Sequence, residues 1–182
     1  MIGALALVAL WALAEAILFF IVADVPISYV ALRYGWRKGV VASVIAAVAA
    51  AAGGMMLLSW AKANSAGVAD LIIALPAIDA AMLADAKAAF VEDGYLAMVA
   101  GSFSGSPYKL YVYAAANMTS GAVSAFLISS ILARLPRFLC VALVVAGIGR
   151  LLERWVGLKA RLTLLGCCWL VFYGWYFATM PT

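Results

Sequence analysis

The chain has 182 residues, of which 69% are hydrophobic and 11% charged, whereas a soluble domain is about half apolar and about a quarter charged. This composition excludes a water-soluble fold, because the polar residues are too few to cover so many apolar side chains. The net charge of +4 is small and dispersed, which argues against a nucleic-acid-binding surface. We therefore expect a single membrane domain over residues 1–182.

Three charge-free stretches are long enough to cross a bilayer. Between Lys38 and Lys62, between Lys109 and Arg134, and after Arg161 the chain has 23, 24 and about 20 uncharged residues. A spanning helix needs about 20 residues. The predicted segments are, in chain order, a first broken hairpin (about 1–34), a helix (39–60), an interfacial segment (66–93), a second broken hairpin (about 94–118), a long helix (119–149) and a last helix (162–180).

The two hairpin segments are each interrupted. The first is broken at Asp24-Val25-Pro26 and the second at residues 101–107, which include Gly105 and Pro107. Irregular backbone at membrane depth persists only where protein or a wet cavity covers it, so two breaks indicate a central site. Because each break precedes a long helix, the pattern predicts two re-entrant hairpins related as an inverted repeat. The predicted fold class is an all-α integral membrane protein with these hairpins, about three long transmembrane helices and interfacial helices.

Charged residues indicate the orientation. Basic residues cluster before the 39–60 helix and before the last helix, which favours the cytoplasmic side for both clusters. These residues are Arg33, Arg37, Lys38, Arg150, Arg154, Lys159 and Arg161. The Lys62–Asp93 segment holds two basic and five acidic residues and fits the opposite side. Charges dispersed among aliphatic residues, as in 66–93, are typical of helices that lie at the interface.

Five charged residues lie within or beside the apolar segments, where an unpaired charge costs about 2.5–3.5 kcal/mol. They are Glu15, Asp24, Lys109, Arg134 and Arg137. We interpret the two acids as proton-coupling residues and the cations as ligands of an anionic group, since guanidinium groups bind phosphate through paired hydrogen bonds. Structural roles are the alternative: Asp24 can cap a helix, and the cations can snorkel to the interface.

The remaining residues carry no enzyme signature. The chain has no histidine, and its three cysteines lack metal-ligand spacing. We therefore expect no catalytic residue, no cofactor and no metal. In the last helix, Trp169, Trp175 and Tyr176 are typical interface anchors.

The second half of the chain resembles a known family. The elements that carry the resemblance are Gly94-Tyr95, Gly105-Ser106-Pro107-Tyr108-Lys109, Ala114-Ala115, Met118, Phe126, Ser129-Ser130 and Arg134-Leu135-Pro136-Arg137-Phe138. This pattern is similar to the DedA family, also called the VTT or SNARE-associated Golgi domain, and to its YqaA-like branch. The first half resembles the family's Glu…Pro-x-Asp/Glu-Ser…Gly pattern through Glu15, Asp24-Val25-Pro26-Ile27-Ser28, Gly35 and Gly53-Gly54. The resemblance covers about Ala14 to Trp155.

The resemblance implies two facing re-entrant hairpins and the movement of phospholipids or polyprenyl phosphates between leaflets, often linked in bacteria to the proton gradient. By position, Glu15 and Asp24 are the acidic pair of the first hairpin, and Lys109 stands where many members have the second of two hairpin arginines. The first of these arginines is Ser102 here, so phosphate binding is either weakened at this hairpin or shifted to the long helix. The candidate substrate-binding residues are Ser102, Lys109, Arg134 and Arg137.

The expected function is therefore a lipid flippase or scramblase with proton coupling. Its partners would be membrane lipids with an anionic phosphate headgroup and no nucleic acid, and its location the inner (cytoplasmic) membrane of a bacterium. Two other classes stay open: a non-transporting membrane scaffold whose charges pair internally, and a proton-coupled carrier of a small solute. The sequence also leaves open whether the chain forms a homo-oligomer.

Overall fold

A computed structural model describes residues 1–117 and 122–179. The described chain is all-α, with no strand in either range. Its helices are α1 (Ile2–Ile17), α2 (Asp24–Tyr34), α3 (Trp36–Ala63), α4 (Ser65–Ile73), α5 (Ala80–Asp93), α6 (Tyr95–Ser104), α7 (Tyr108–Ala116), α8 (Val123–Leu152) and α9 (Leu158–Thr179). The predicted boundaries at Met118, Thr119 and Met180 lie outside the described residues.

Three of these helices, α3, α8 and α9, are long and apolar enough to cross a membrane. They contain 28, 30 and 22 residues, which at 1.5 Å per residue exceeds the hydrocarbon thickness of about 30 Å. The three predicted long helices are thus confirmed as candidate spans, with shifted boundaries. The charge-free stretch between Lys109 and Arg134, however, is not one helix, because α7 ends at Ala116 and α8 begins at Val123. Helix α8 begins at Val123 rather than at 119, because the backbone of Ala122 is extended (ψ 133°). Helix α9 begins four residues earlier than predicted, at Leu158.

The first break lies earlier in the chain than predicted. Residues 18–23 are non-helical, whereas Asp24 is already the first residue of α2. Pro26 therefore stands in the first turn of a helix, where the N–H that proline lacks would have no intrahelical partner. The prediction that Asp24-Val25-Pro26 breaks the segment is wrong, because proline is compatible with that position.

The second break is shorter than predicted. Helix α6 continues through residues 101–104, and the break comprises residues 105–107. Gly105 ends α6 with a left-handed backbone (φ 89°), a conformation that suits glycine. Gly101 lies inside α6, at a point where a Cβ atom would collide with the ring of Tyr111 on α7. This glycine thus lets the two arms of the second hairpin approach closely.

Helices of the two hairpins pack in a reciprocal pattern around α3 and α8, which contact each other. Helix α1 packs on α3, and α6 packs on α8. The second arms also contact the other long helix, α2 against α8 and α7 against α3. Close packing along α3 is possible because Ala42, Ala46 and Ala50 present only methyl groups and are fully buried.

The segment predicted to be interfacial folds as α4 and α5. Helix α5 is capped at its N-terminus by Asp79, whose Oδ1 accepts a hydrogen bond from the Met82 N–H at 2.7 Å. It packs on α6 and α7 through Leu83, Ala86 and Phe90. The last long helix is different, because none of its residues is fully buried, although it contacts α2. Its apolar surface therefore suits a lipid environment.

Candidate functional site

Helix α8 carries two arginines that pair with acids of the first hairpin. Arg134 forms an ion pair with Glu15 of α1, and the two side chains are 4% and 7% exposed. The guanidinium carbon of Arg134 also lies 5.0 Å from the ring centroid of Tyr108 and 5.1 Å from that of Phe138. This cation is thus surrounded by a carboxylate and two aromatic faces, which compensate for its removal from water.

The second pair is more accessible on its cationic side. Arg137 Nη2 donates to Asp24 Oδ2 at 2.5 Å. The Arg137 side chain is 33% exposed, whereas that of Asp24 is 1% exposed. Asp24 Oδ1 is buried and, among the described residues, accepts no hydrogen bond. Because Arg134 and Arg137 are three residues apart, α8 presents both on one face toward the first hairpin.

Lys109, on α7, joins the second hairpin to the first break. Its side chain is buried, and Nζ donates to the backbone carbonyl of Phe19 at 2.8 Å. No carboxylate lies within ion-pair distance of this ammonium group in residues 1–117 and 122–179. The amine of Lys109 is therefore hydrogen-bonded to a backbone carbonyl but is not neutralised by a carboxylate of the described residues.

Two aromatic side chains form hydrogen bonds with the backbone of the first break. Trp11 Nε1 donates to the carbonyl of Ile21 at 3.0 Å, and the N–H of Val22 donates to the hydroxyl of Tyr173 at 2.8 Å. Such partners are what non-helical backbone requires at membrane depth. Sequence reasoning missed both residues, because an isolated Trp or Tyr in an apolar segment has no pattern that assigns it to a distant backbone group.

A cavity of about 170 Å³ lies between the two breaks. It is far larger than the roughly 15 Å³ that one water needs. The predicted site residues that line it are Glu15, Ser102, Gly105, Pro107, Lys109, Arg134 and Arg137. Asp24 adjoins it through its bond to Arg137. Phe20 and Val22, which belong to the first break, also line the cavity, so both breaks bound it.

Two of the predicted site residues, Pro26 and Ser102, do not take the role in this cavity that the sequence predicts. Pro26 does not line the cavity; it borders a separate surface pocket with Trp11 and Tyr29. Two residues along a helix are about 200° apart around its axis, so Pro26 lies on the opposite side of α2 from Asp24, which meets Arg137 of α8. Ser102 does line the cavity, but its hydroxyl donates to the Met98 carbonyl at 3.2 Å. That internal bond occupies its one donor.

Helix α9 supplies an aromatic wall that sequence reasoning did not assign to the site. Phe172, Tyr173 and Tyr176 line the cavity. Their rings belong to a series in which Tyr173 stacks on Trp169 at 6.1 Å and on Phe177 at 5.8 Å. The spacing of four residues between these aromatics is the signal that could have revealed a continuous face. The prediction that Trp169, Trp175 and Tyr176 are interface anchors does not include this contact with the cavity.

The described residues contain no group of His, Cys, Asp or Glu that could hold a metal ion. Comparison of the chain with protein-family models, with curated proteins and with solved structures gave no match. Over residues 1–117 and 122–179, the fold and the site define the class on their own: an all-helical membrane protein with three candidate spans and a charged cavity between two helix breaks.

Proposed function

We propose that the protein is a lipid transporter of the DedA type, which flips or scrambles a phospholipid or polyprenyl phosphate between leaflets. The observation that carries the proposal is the cavity between the two helix breaks, with cations on its wall. In a chain that is mostly apolar, a polar cavity of this kind is costly and marks a pathway or a binding site.

The charge balance at the cavity favours an anionic substrate. Arg134 is neutralised by Glu15 and Arg137 by Asp24. Lys109 bonds a carbonyl instead, so the five charged residues together leave one positive charge. A phosphate group entering the cavity would supply the missing negative charge, with hydrogen bonds that are strengthened by the charges of both partners.

Arg137 is the cation best arranged to exchange partners. A third of its side chain is exposed, whereas Arg134 is enclosed. If Asp24 takes up a proton, the attraction that holds Arg137 is lost and its guanidinium group becomes free to bind phosphate. The buried Oδ1 of Asp24, which has no hydrogen-bond partner among the described residues, is the atom that would receive the proton. Proton uptake and substrate binding would thereby be coupled.

The reciprocal packing of the hairpins supports an alternating-access mechanism, in which the cavity opens to one leaflet and then to the other. Each second arm contacts the long helix that follows the other hairpin, as expected if the two halves are inverted repeats that enter the membrane from opposite sides. Rocking of one half against the other would expose the cavity to each leaflet in turn. The acyl or prenyl tail would remain in lipid, so that only the headgroup passes the charged residues. We assign this activity to the bacterial inner membrane and assign no catalytic residue.

Reconstitution tests the proposal directly. In liposomes that contain a headgroup-labelled phospholipid, the protein should transfer label between leaflets, and the rate should respond to an imposed pH gradient. Arg137→Ala should reduce transfer at least tenfold, because loss of one charge-assisted hydrogen bond corresponds to about that factor. Arg37→Ala is the matched control, since Arg37 is exposed and lines none of the described cavities.

The other function classes give different results in the same experiment. A scaffold would give no transfer in the wild-type protein, which would contradict the proposal. A carrier of a soluble solute would take up that solute and leave the labelled lipid in place. If Arg137→Ala and Arg37→Ala transported lipid at the wild-type rate while both were folded, the cavity would not be the pathway.

A further inference from the structure

A second, larger cavity lies among the basic residues of the predicted cytoplasmic side. Its volume is about 690 Å³, and it is bounded by the ends of α2 and α8 and the beginnings of α3 and α9. The charged side chains that line it are Arg33, Arg150, Arg161 and Glu153. It shares no lining residue with the cavity between the breaks, so the two are distinct sites.

Arg161 is the residue that points to a ligand. Its side chain is 10% exposed, although it lies in the first turn of α9. Nη1 donates to the Gly149 carbonyl at 2.6 Å, and Nη2 is 3.8 Å from a carboxylate oxygen of Glu153, whose side chain is 66% exposed. Nε is buried and has no hydrogen-bond partner in the described part of the chain. A buried guanidinium group with an unused donor is costly unless a ligand completes it.

An apolar groove continues directly from this cavity. The groove has a volume of about 240 Å³ and shares Leu32, Gly149 and Arg161 with the basic cavity. Its other walls come from α8 and α9. They are Val145, Ile148, Leu152, Leu164, Leu165 and Cys168. Arg161 thus stands at the junction between a basic compartment and an apolar one.

We propose that this composite site binds an anionic phospholipid, with the phosphate on Arg161 and one acyl chain in the groove between α8 and α9. Arg33 and Arg150 add positive charge around the headgroup, and the single acidic wall residue, Glu153, is directed mostly to solvent. A free phosphate would use the basic compartment alone. The adjoining groove has no role for such a ligand, whereas a lipid fills both compartments.

The position in the membrane agrees with this ligand. Seven of the twelve basic residues of the chain lie in 33–38 and 150–161, the two stretches that supply Arg33, Arg150 and Arg161 to the basic cavity. Basic pockets between helices at the cytoplasmic surface are typical sites for anionic lipid headgroups, because that leaflet carries the negative lipids. The lipid would also bridge α9, which otherwise has no buried residue, to α2 and α8. The site does not depend on the proposed transport activity.

Native mass spectrometry of the full chain in detergent tests the proposal, with phosphatidylglycerol and phosphatidylcholine of identical acyl chains as probes. We expect the protein to retain one phosphatidylglycerol at a concentration at least tenfold below that needed for phosphatidylcholine. Arg161→Gln should weaken phosphatidylglycerol retention about tenfold or more, as expected for loss of a charge-assisted hydrogen bond. Arg154→Gln should change it less than twofold, because Arg154 is exposed and stacks on Trp155 with a 3.9 Å distance to the ring centroid.

The groove is tested by a second pair of variants that leaves every charge in place. Cys168→Trp should fill the groove and reduce lipid retention, whereas Cys167→Trp, at an equally exposed neighbour that does not line the groove, should not. This pair keeps the proposal testable if Arg161→Gln fails to fold. Equal losses in Arg161→Gln and Arg154→Gln would reveal diffuse charge attraction and overturn the proposal. Displacement of the lipid by millimolar inorganic phosphate, or full retention in Cys168→Trp, would equally exclude a lipid bound through its tail.

Discussion

The two helix breaks at the first cavity are held in different ways. The first, residues 18–23, reads Leu-Phe-Phe-Ile-Val-Ala and contains neither glycine nor proline. Its backbone groups bond to Trp11 of α1, Lys109 of α7 and Tyr173 of α9. The second break, residues 105–107, reads Gly-Ser-Pro. Within the described residues its hydrogen bonds are local, such as that from the Leu110 N–H to the Pro107 carbonyl at 3.0 Å.

This difference separates two causes of irregular backbone. The second break follows from its own residues, because Gly105 adopts a left-handed backbone and proline cannot continue α6. The first break is made of residues that would otherwise extend a helix or strand, so it depends on partners from three helices. A substitution far away in the sequence should therefore disturb the first break, whereas the second should respond to changes within itself.

The largest effect is expected at the ion pair that anchors α1 beside the first break. Glu15→Leu leaves the Arg134 guanidinium buried without its carboxylate. Removing one partner of a buried ion pair costs about 3–5 kcal/mol. We expect the free energy of unfolding in detergent micelles, measured by denaturant titration, to fall by that amount.

A double variant distinguishes lost charge pairing from lost packing. Glu15→Leu combined with Arg134→Met removes both charges and keeps apolar volume at both positions. Replacement of a buried pair by apolar residues is often neutral, so most of the lost stability should return. A double variant as unstable as Glu15→Leu would show that Arg134 is needed for another contact, such as that with Tyr108.

A smaller effect is expected at the hydrogen bond that α9 supplies to the first break. Tyr173→Phe removes the hydroxyl that accepts from the Val22 N–H and leaves that donor unpaired. The cost of an unsatisfied buried donor is about 1–3 kcal/mol. Hydrogen exchange should accelerate at the Val22 amide and remain unchanged in α7.

Tyr176→Phe is the matched control, because Tyr176 lines the same cavity and its hydroxyl has no hydrogen bond among the described residues. Equal acceleration in both variants would contradict the assigned role of Tyr173.

Sequence reasoning predicted the features that local chemistry determines. Charge-free length predicted α3 and α9, since hydrocarbon thickness fixes the number of apolar residues. It did not predict α8, which contains Arg134 and Arg137, because the charge-free stretch before Arg134 divides between α7 and the start of α8. The Gly-Ser-Pro string predicted the second break within a few residues. The residues singled out as costly charges also meet in space: Glu15, Arg134, Arg137 and Lys109 line one cavity, and Asp24 adjoins it. Uncompensated charges in an apolar chain must find partners, which explains this success.

The features that sequence reasoning missed depend on contacts between distant elements. The first break was assigned to Pro26, although its cause lies in bonds to Trp11, Lys109 and Tyr173. The pairing of each acid with a particular arginine was not predictable, because it requires the tertiary arrangement that packs α2 on α8 and brings Glu15 of α1 to Arg134 of α8. The aromatic wall of α9 was missed for the same reason. The inverted repeat and the DedA-type function stay predictions.

The smallest effect is expected at the glycine of the second break. Gly105→Ala places a Cβ atom on a residue with φ 89°, which costs about 1–2 kcal/mol in unfolding free energy. Gly105→Asn should cost less, because asparagine tolerates the left-handed region better than alanine does. Gly147→Ala is the control, since Gly147 lies inside α8 with open space around it; there alanine should stabilise by up to about 1 kcal/mol.

The same variants show whether the two breaks are independent. Gly105→Ala should leave the protection of the Val22 amide against hydrogen exchange as it is in the wild type, because the bond to Tyr173 does not involve the second hairpin. Lys109, however, stands two residues after Pro107 and donates to the Phe19 carbonyl. If Gly105→Ala shifts Lys109, exchange should rise at the first break as well. That result would contradict independent breaks and make Lys109 the link through which the second hairpin controls the first.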